Sequence, residues 1–146
     1  MRVLLDTNVL VSYLLQPGSL GAVRTILRAF LEGRLTLLVP DALLHELAIT
    51  ITGKPQLAKR ITQAELTQFL SVLQAFGEAV PPIHEPIPAV TRDPKDDYLL
   101  AYALVGAADY LITDDNDLLA LAGQLPGLMI VSPSQFVTIW EDQPKP

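Results

Sequence analysis

The acids of this chain are unevenly placed. Asp93, Asp96, Asp97, Asp109, Asp114, Asp115 and Asp117 fall within 25 residues that hold one base, Lys95, and outside that window nine acids balance nine bases. One explanation is a solubilising surface with helix N-caps, a role that Asp93 and Asp96 suit. The other is a cation site. Two carboxylates about 5 Å apart repel by roughly 3 kcal/mol at an effective dielectric of 20, so several in one cleft raise each other's pKa unless a cation neutralises them. Oxygen-only ligation selects Mg²⁺ or Mn²⁺ over zinc. Such an ion acidifies and orients a bound water and stabilises charge on phosphoryl oxygens, which suits phosphodiester hydrolysis.

Competing chemistries lack their residues. There is no cysteine, and His45 and His84 are the only imidazoles, so disulfides, thiolate sites and the usual zinc sites are excluded. The eight glycines form neither a G-x-x-x-x-G-K-[ST] loop nor G-x-G-x-x-G, and no G-x-S-x-G elbow occurs, which removes kinase, dehydrogenase and esterase readings. An aspartyl-phosphate mechanism at Asp6 wants a second Asp two residues on, where Asn8 stands.

The acids need a scaffold, and hydrophobic patterning supplies one. Val3-Leu4-Leu5 reads as a strand ending at Asp6, followed by a helix over Val9 to Leu15 with Thr7 or Asn8 as N-cap. A helix is expected from about Ser19 to Glu32, with Leu20, Val23, Leu27, Phe30 and Leu31 on its apolar stripe and Gly33 as the stop. Leu35 to Val39 reads as a buried parallel strand. Asp41 can cap the next helix, which carries Glu46 on an otherwise apolar face. Thr62-Gln63-Ala64-Glu65 is a capping box opening a helix that buries Leu66, Phe69, Leu70 and Leu73, with Phe76 a further inward candidate before Gly77. Five prolines between residues 81 and 94 predict a mostly extended connector. Asp93-Pro94 fits N-cap and N1 of a helix with Leu99, Leu100, Ala103, Leu104 and Ala107 inward. Tyr110 to Thr113 is a strand ending in Asp114-Asp115-Asn116-Asp117, with a short helix over Leu118 to Ala122. Leu128 to Val131 is the last strand, and Ser132-Pro133 opens a terminal helix with Phe136 and Trp140 as core residues, ended by Pro144.

Strands apolar on both faces alternate with helices. That pattern predicts an α/β fold, a three-layer αβα sandwich around a mostly parallel sheet, with its site at the carboxyl ends of the strands. Asp6 and the Asp114 to Asp117 cluster fall at such ends, and Glu46 and Asp97 can lean over them from helices.

Composition narrows the setting. The 146 residues and 15.9 kDa suit a single domain over residues 1–146. Half the residues are hydrophobic and mean hydropathy is +0.35, enough to build a core. A net charge of -6 and a pI near 4.7 exclude a protein that coats nucleic acid by bulk positive charge. The longest apolar run, 11 residues from Tyr98 to Ala108, is short of the roughly 20 that cross a bilayer. With Asp6 interrupting any signal-like start and no cysteine present, a cytoplasmic protein without membrane association is expected.

Four segments, Leu4-Leu5-Asp6-Thr7-Asn8-Val9-Leu10-Val11-Ser12, His45-Glu46-Leu47, Asp97-Tyr98-Leu99-Leu100-Ala101 and Ile112-Thr113-Asp114-Asp115, resemble in order and spacing the signature segments of PIN-domain nucleases, over essentially the whole chain. The resemblance implies a Mg²⁺- or Mn²⁺-dependent endoribonuclease, commonly the VapC-type toxin of a toxin-antitoxin pair. RNA would then be its substrate, a cognate antitoxin its partner, and a homodimer its usual state. Carried over, Asp6, Glu46, Asp97 and Asp115 become the catalytic, metal-binding acids, with Asp117 a further metal contributor. Asp97 is chosen because Ala101, four residues on, takes the small-residue place in the motif; Asp96 is the fallback. Asn8 and Thr113 orient the acids and contact substrate. Apart from the resemblance, Lys54 and Arg60 are bases available to a substrate backbone, as are Lys59, Arg24, Arg28 and Arg34, although scattered surface bases are usually only solvated. Asp114 departs from the glycine or basic residue expected there, and its added charge opposes close approach of an RNA phosphate. That departure sustains a second reading, a catalytically weak or inactive PIN-fold binding protein acting through a protein or RNA partner.

Overall fold

The computed structural model describes residues 1–18 and 21–143. Five strands, β1 (Arg2–Leu5), β2 (Thr36–Pro40), β3 (Glu78–Val80), β4 (Tyr110–Ile112) and β5 (Met129–Val131), form one sheet in the order β3-β2-β1-β4-β5. All four pairings are parallel, with Val3 opposite Leu37 on one side and Tyr110 on the other. Val3, Leu4, Leu5, Leu38, Leu111 and Ile112 have no exposed surface, which means both faces of the central strands are covered.

The covering helices are α1 (Thr7–Leu15), α2 (Ala22–Leu31), α3 (Asp41–Gly53), α4 (Pro55–Ala58), α5 (Gln63–Phe76), α6 (Pro94–Val105), α7 (Asn116–Leu119) and α8 (Pro133–Glu141). Parallel strands need crossovers, and the helices that make them cover both faces of the sheet. The packing agrees: α1 touches α2 and α3, α2 touches α8, and α6 lies on β4. Phe136 of α8 is fully buried, edge-on to Tyr110 with ring centroids 5.2 Å apart, as its expected core role requires. The result is the expected three-layer sandwich, with its sheet wholly parallel.

Local chemistry fixes most helix starts. Thr62 Oγ1 accepts from Glu65 N–H while the Glu65 carboxylate accepts from Thr62 N–H, a closed capping box. Ser132 and Gln135 form a second box at α8. Asp93 caps α6 with Pro94 in its first turn.

Several boundaries differ from expectation. α1 begins at Thr7, so Asp6 rather than Thr7 or Asn8 is its N-cap residue. The last short helix covers Asn116–Leu119 instead of Leu118 to Ala122, because the Asp115 carboxylate accepts from Asp117 N–H and starts the turn earlier. α3 ends at Gly53, and the short helix α4, for which patterning gave no expectation, starts afresh with Pro55 in its first turn. The expected start of the second helix at Ser19 and Leu20, and the expected stop of the terminal helix at Pro144, lie outside the described residues.

Strand β3 had no sequence signal. It is three residues long, two of them exposed, and forms by pairing with β2 at the sheet edge. Gly77 makes the tight entry possible: a β-carbon there would collide with Val39 Cγ2 and the Leu73 carbonyl oxygen. Arg2 secures the edge from the amino end of β1, its guanidinium holding the Glu78 carboxylate and the Gly106 carbonyl. The proline-rich connector before Asp93 carries no regular element, as expected.

Candidate functional site

The strand order reverses direction between β1 and β4. In open parallel sheets the crevice outside the carboxyl ends at such a switch point is where ligands bind. Asp6 directly follows β1 and Thr113 directly follows β4, held together by a hydrogen bond from Asp6 N–H to the Ile112 carbonyl of 3.0 Å. Although Asp6 occupies the N-cap position of α1, its side chain makes no cap bond. Asp6 Oδ2 instead accepts from the Thr113 hydroxyl at 2.7 Å. Thr113 has no exposed surface, and its Oγ1 also accepts from Asp115 N–H at 3.0 Å. One buried hydroxyl therefore ties the first acid to the backbone of the last. Burial pushes the Asp6 carboxyl above the ordinary range and the Asp115 charge adds to it, against the Thr113 hydroxyl and the amides of Asn8 and Thr7, which favour the anion.

Two helices bring the other acids. Glu46, in the second turn of α3, is half-buried. Burial raises its pKa, Lys95 and the Thr7 hydroxyl pull it down, and the charges of Asp6 and Asp93 push it up again. Asp96, in the first turn of α6, is only 8% exposed. Its carboxyl is pushed up to about 7 by burial, then by the charges of Asp115, Asp93 and Asp6, and by a hydrogen bond to Asp115. Asp6, Asp96 and Asp115 thus feel one another, and Glu46 feels Asp6, across four separate elements. Two of the sequence-derived acids behave differently.

Asp97 is turned away. Its Oδ1 accepts from the amides of Val90 and Thr91 at 2.9 and 2.7 Å. Burial raises its pKa, but the bonds from Thr91 and Val90 outweigh this and hold it below the ordinary range. Successive helical residues point about 100° apart, so a helix that aims Asp96 at Asp6 and Asp115 must aim Asp97 elsewhere. The fallback residue, not the chosen one, joins the cluster. Asp117 is also engaged: Arg92 donates to both of its carboxylate oxygens, at 2.8 and 3.0 Å.

The expected substrate contacts also divide. Thr113 is too deeply buried to touch a substrate and serves instead as an internal hydrogen-bond post. Asn8 is exposed at the start of α1, where its amide helps to stabilise the Asp6 anion. Lys54 lies beyond the last turn of α3, about 12 Å along the axis from Glu46 at 1.5 Å per residue. Arg60 lies past α4, and neither base is among the charges acting on Asp6, Glu46 or Asp96. The base that acts on Glu46 is Lys95, which patterning did not single out for the site. Its signal was present, since it is the one base in the acidic window and stands beside Asp96. Arg92, one residue before that window, was overlooked for the same reason.

Every donor offered by the four acids is oxygen, and burial with mutual repulsion favours their uptake of positive charge. Protons meet that demand in part, since the Asp96 carboxyl is pushed up to about 7. Among the described residues, no three acidic or imidazole groups already stand in a closed metal-binding arrangement. The donor set nevertheless fits a hard divalent cation, which would replace the protons and relieve the same repulsion. Among the described residues, no helix is long and apolar enough to cross a membrane.

The family model described as PIN domain matches residues 2–117, a span that contains all four acids. No curated protein matches. Among solved structures, the crystal structure of VapBC2 from Rickettsia felis bound to a DNA fragment from their promoter is similar with a TM-score of 0.57 and 17% identity, over 89% of this chain and 97% of that one. At that identity the likeness is one of fold.

Proposed function

The chain belongs to the PIN-domain family, and on that premise we propose that it is a divalent-metal-dependent endoribonuclease whose metal-binding acids are Asp6, Glu46, Asp96 and Asp115. The observation that carries this reading is the mutual electrostatic coupling of Asp6, Asp96 and Asp115, with Glu46 beside Asp6, at the switch point of the sheet. Mg²⁺ or Mn²⁺ bound there supplies a nucleophilic water at neutral pH and charge stabilisation at the phosphoryl group.

The chain's own residues prepare the site. Thr113 fixes the Asp6 carboxylate and the turn that carries Asp115. Asp97 tethers the connector through Val90 and Thr91, and Arg92 pins its end to Asp117. Lys95 sets a positive charge beside Glu46 in an otherwise anionic region, where an incoming phosphate needs one.

The proposal extends to the biology that the sequence motifs imply: a VapC-like toxin, neutralised by a cognate antitoxin, acting in the cytoplasm as a homodimer. The family match and the sandwich fold support the first part. Leu104 and Val105, 51% and 56% exposed at the far end of α6, support the last, as apolar surface that a second copy would cover.

Purified protein incubated with single-stranded and structured RNA in Mn²⁺ tests the enzyme. Cleavage is expected with metal and should vanish in EDTA, in Asp6→Asn and in Asp96→Asn. Cleavage that persists in EDTA overturns the mechanism. Asp114, exposed beside Asp115, favours the second reading, a binding protein with the same pocket. Metal-dependent RNA binding without cleavage by the unmodified chain would select it.

A further inference from the structure

A groove of about 390 Å³ opens between α3 and α6, and two of its lining residues, Glu46 and Lys95, also border the acid cluster. From that shared edge it runs outward along both helices, past Ile49 on α3 and Tyr98 on α6. The spacing explains the continuity: Glu46 and Ile49, like Lys95 and Tyr98, are three residues apart and so lie on one helix face. The groove leaves the acids through a cation and ends in apolar walls.

Tyr98 is built as a platform. The residue is 50% exposed and its ring stacks on Tyr102, with centroids 6.5 Å apart and planes 24° apart. Tyr102 is buried, and its hydroxyl accepts from Ile83 N–H at 3.4 Å, so the backing ring is fixed. Ile49, 55% exposed, lines the same groove from α3. A half-exposed aromatic ring on a rigid support, with a lysine beside it, is the combination by which single-stranded nucleic acids are held: the π-face takes a base and the cation takes the backbone. The volume admits one base with its sugar.

We propose that this groove is a nucleotide subsite, receiving the base of a single-stranded RNA residue next to the scissile phosphate by stacking on Tyr98, with Lys95 at the adjoining phosphate. The inference rests on the ribonuclease reading above. It assigns Tyr98 and Lys95 to substrate binding, in place of the more distant Lys54 and Arg60. It also gives Lys95 a purpose, since it is the one base in a window of seven acids that a polyanion must approach.

The test is equilibrium binding of a short fluorescent single-stranded RNA by anisotropy in Mg²⁺, with Asp6→Asn as the non-cleaving background. The same oligomer lacking its bases is the comparison probe. Tyr98→Ala should weaken binding of the intact RNA about tenfold, within the range of a base–aromatic stack, and leave the abasic probe unchanged. Tyr98→Trp should keep the affinity for intact RNA, which separates lost stacking from lost folding. Lys95→Ala should weaken both probes by a similar factor and flatten the dependence on salt.

An equal effect of Tyr98→Ala on the two probes overturns the proposal. So does unchanged RNA affinity together with loss of a dimer in sedimentation, which would assign the groove to a contact between copies of the chain. The two readings fail separately. Cleavage by the unmodified chain with Tyr98-independent binding removes the subsite alone, and Tyr98-dependent, base-dependent binding without cleavage removes the ribonuclease alone.

Discussion

Replacing Thr113 by valine keeps the shape of a fully buried side chain and removes one oxygen. Two hydrogen bonds go with it: the one donated to Asp6 Oδ2 at 2.7 Å and the one accepted from Asp115 N–H at 3.0 Å. The first is short and charge-assisted, worth about 2 kcal/mol; the second leaves a partly buried amide without its acceptor, at about 1 kcal/mol. Together they come to about 3 kcal/mol, a large share of the 5–15 kcal/mol by which domains of this kind are typically stable. With a urea dependence of about 2 kcal/mol per molar, the unfolding midpoint should fall by roughly 1.5 M with an unchanged slope. Thr113→Ser keeps the oxygen and should lose about 1 kcal/mol for its missing methyl group. In an Asp6→Asn background the valine substitution should cost about 2 kcal/mol, because the bond to Asp6 is halved when its acceptor is no longer charged and the Asp115 amide loss is unchanged. Urea unfolding of the parent, the three single variants and the double variant, followed by circular dichroism in EDTA, measures all of this. If Thr113→Val stays within 0.5 kcal/mol of the parent, or matches Thr113→Ser, the hydroxyl is not the post that joins the first and last acids.

Other consequences are as open to measurement. Asp96 has a folded-state pKa of about 7 against an ordinary 3.8, so the folded protein binds more protons between those values and loses stability as pH rises through the interval. Three units correspond to about 4 kcal/mol, which solvent screening reduces to about 2; in EDTA, Asp96→Asn should gain roughly that much on the parent between pH 4 and pH 8, or about 6 °C in Tm, and a pH-independent difference would contradict the assignment. Asp97 has the opposite sign: its lowered pKa means that its contribution is present above the ordinary carboxylate range and is lost as pH falls through the depressed value. Asp97→Asn should speed hydrogen exchange at the Val90 and Thr91 amides and, for RNA cleavage, should do less damage than Asp96→Asn. Gly77→Ala must push its new methyl group against Val39 and the Leu73 carbonyl; a loss of about 1–3 kcal/mol in thermal unfolding is expected. Divalent-ion titration followed by Tm should stabilise the parent and leave Asp6→Asn unmoved.

Much of the scaffold was legible because its signals are local. The Thr62 to Glu65 box, the Asp93-Pro94 start and the Ser132-Pro133 start each act within one helical turn, and all three stand where the sequence places them. The doubly apolar runs Val3-Leu4-Leu5 and Leu35 to Val39 predict buried parallel strands, which β1 and β2 are. Strand β3 was not legible: Glu78 and Ala79 are exposed, and only the neighbouring β2 makes the segment a strand.

The sequence by itself determined that the chain would bury a sandwich core, that oxygen was the only abundant donor, and that acids would close β1 and β4. It narrowed the third acid to neighbouring aspartates and could go no further, because periodicity gives the angle between Asp96 and Asp97 but not the rotation of α6 against the sheet. The tertiary structure fixed that rotation. The amides of Val90 and Thr91, delivered by a proline-rich connector with no regular element to satisfy them, claim Asp97 and leave Asp96 facing Asp6 and Asp115. Likewise Arg92 could be matched to Asp117, 25 positions away, only once the connector and the end of β4 had been brought together in space.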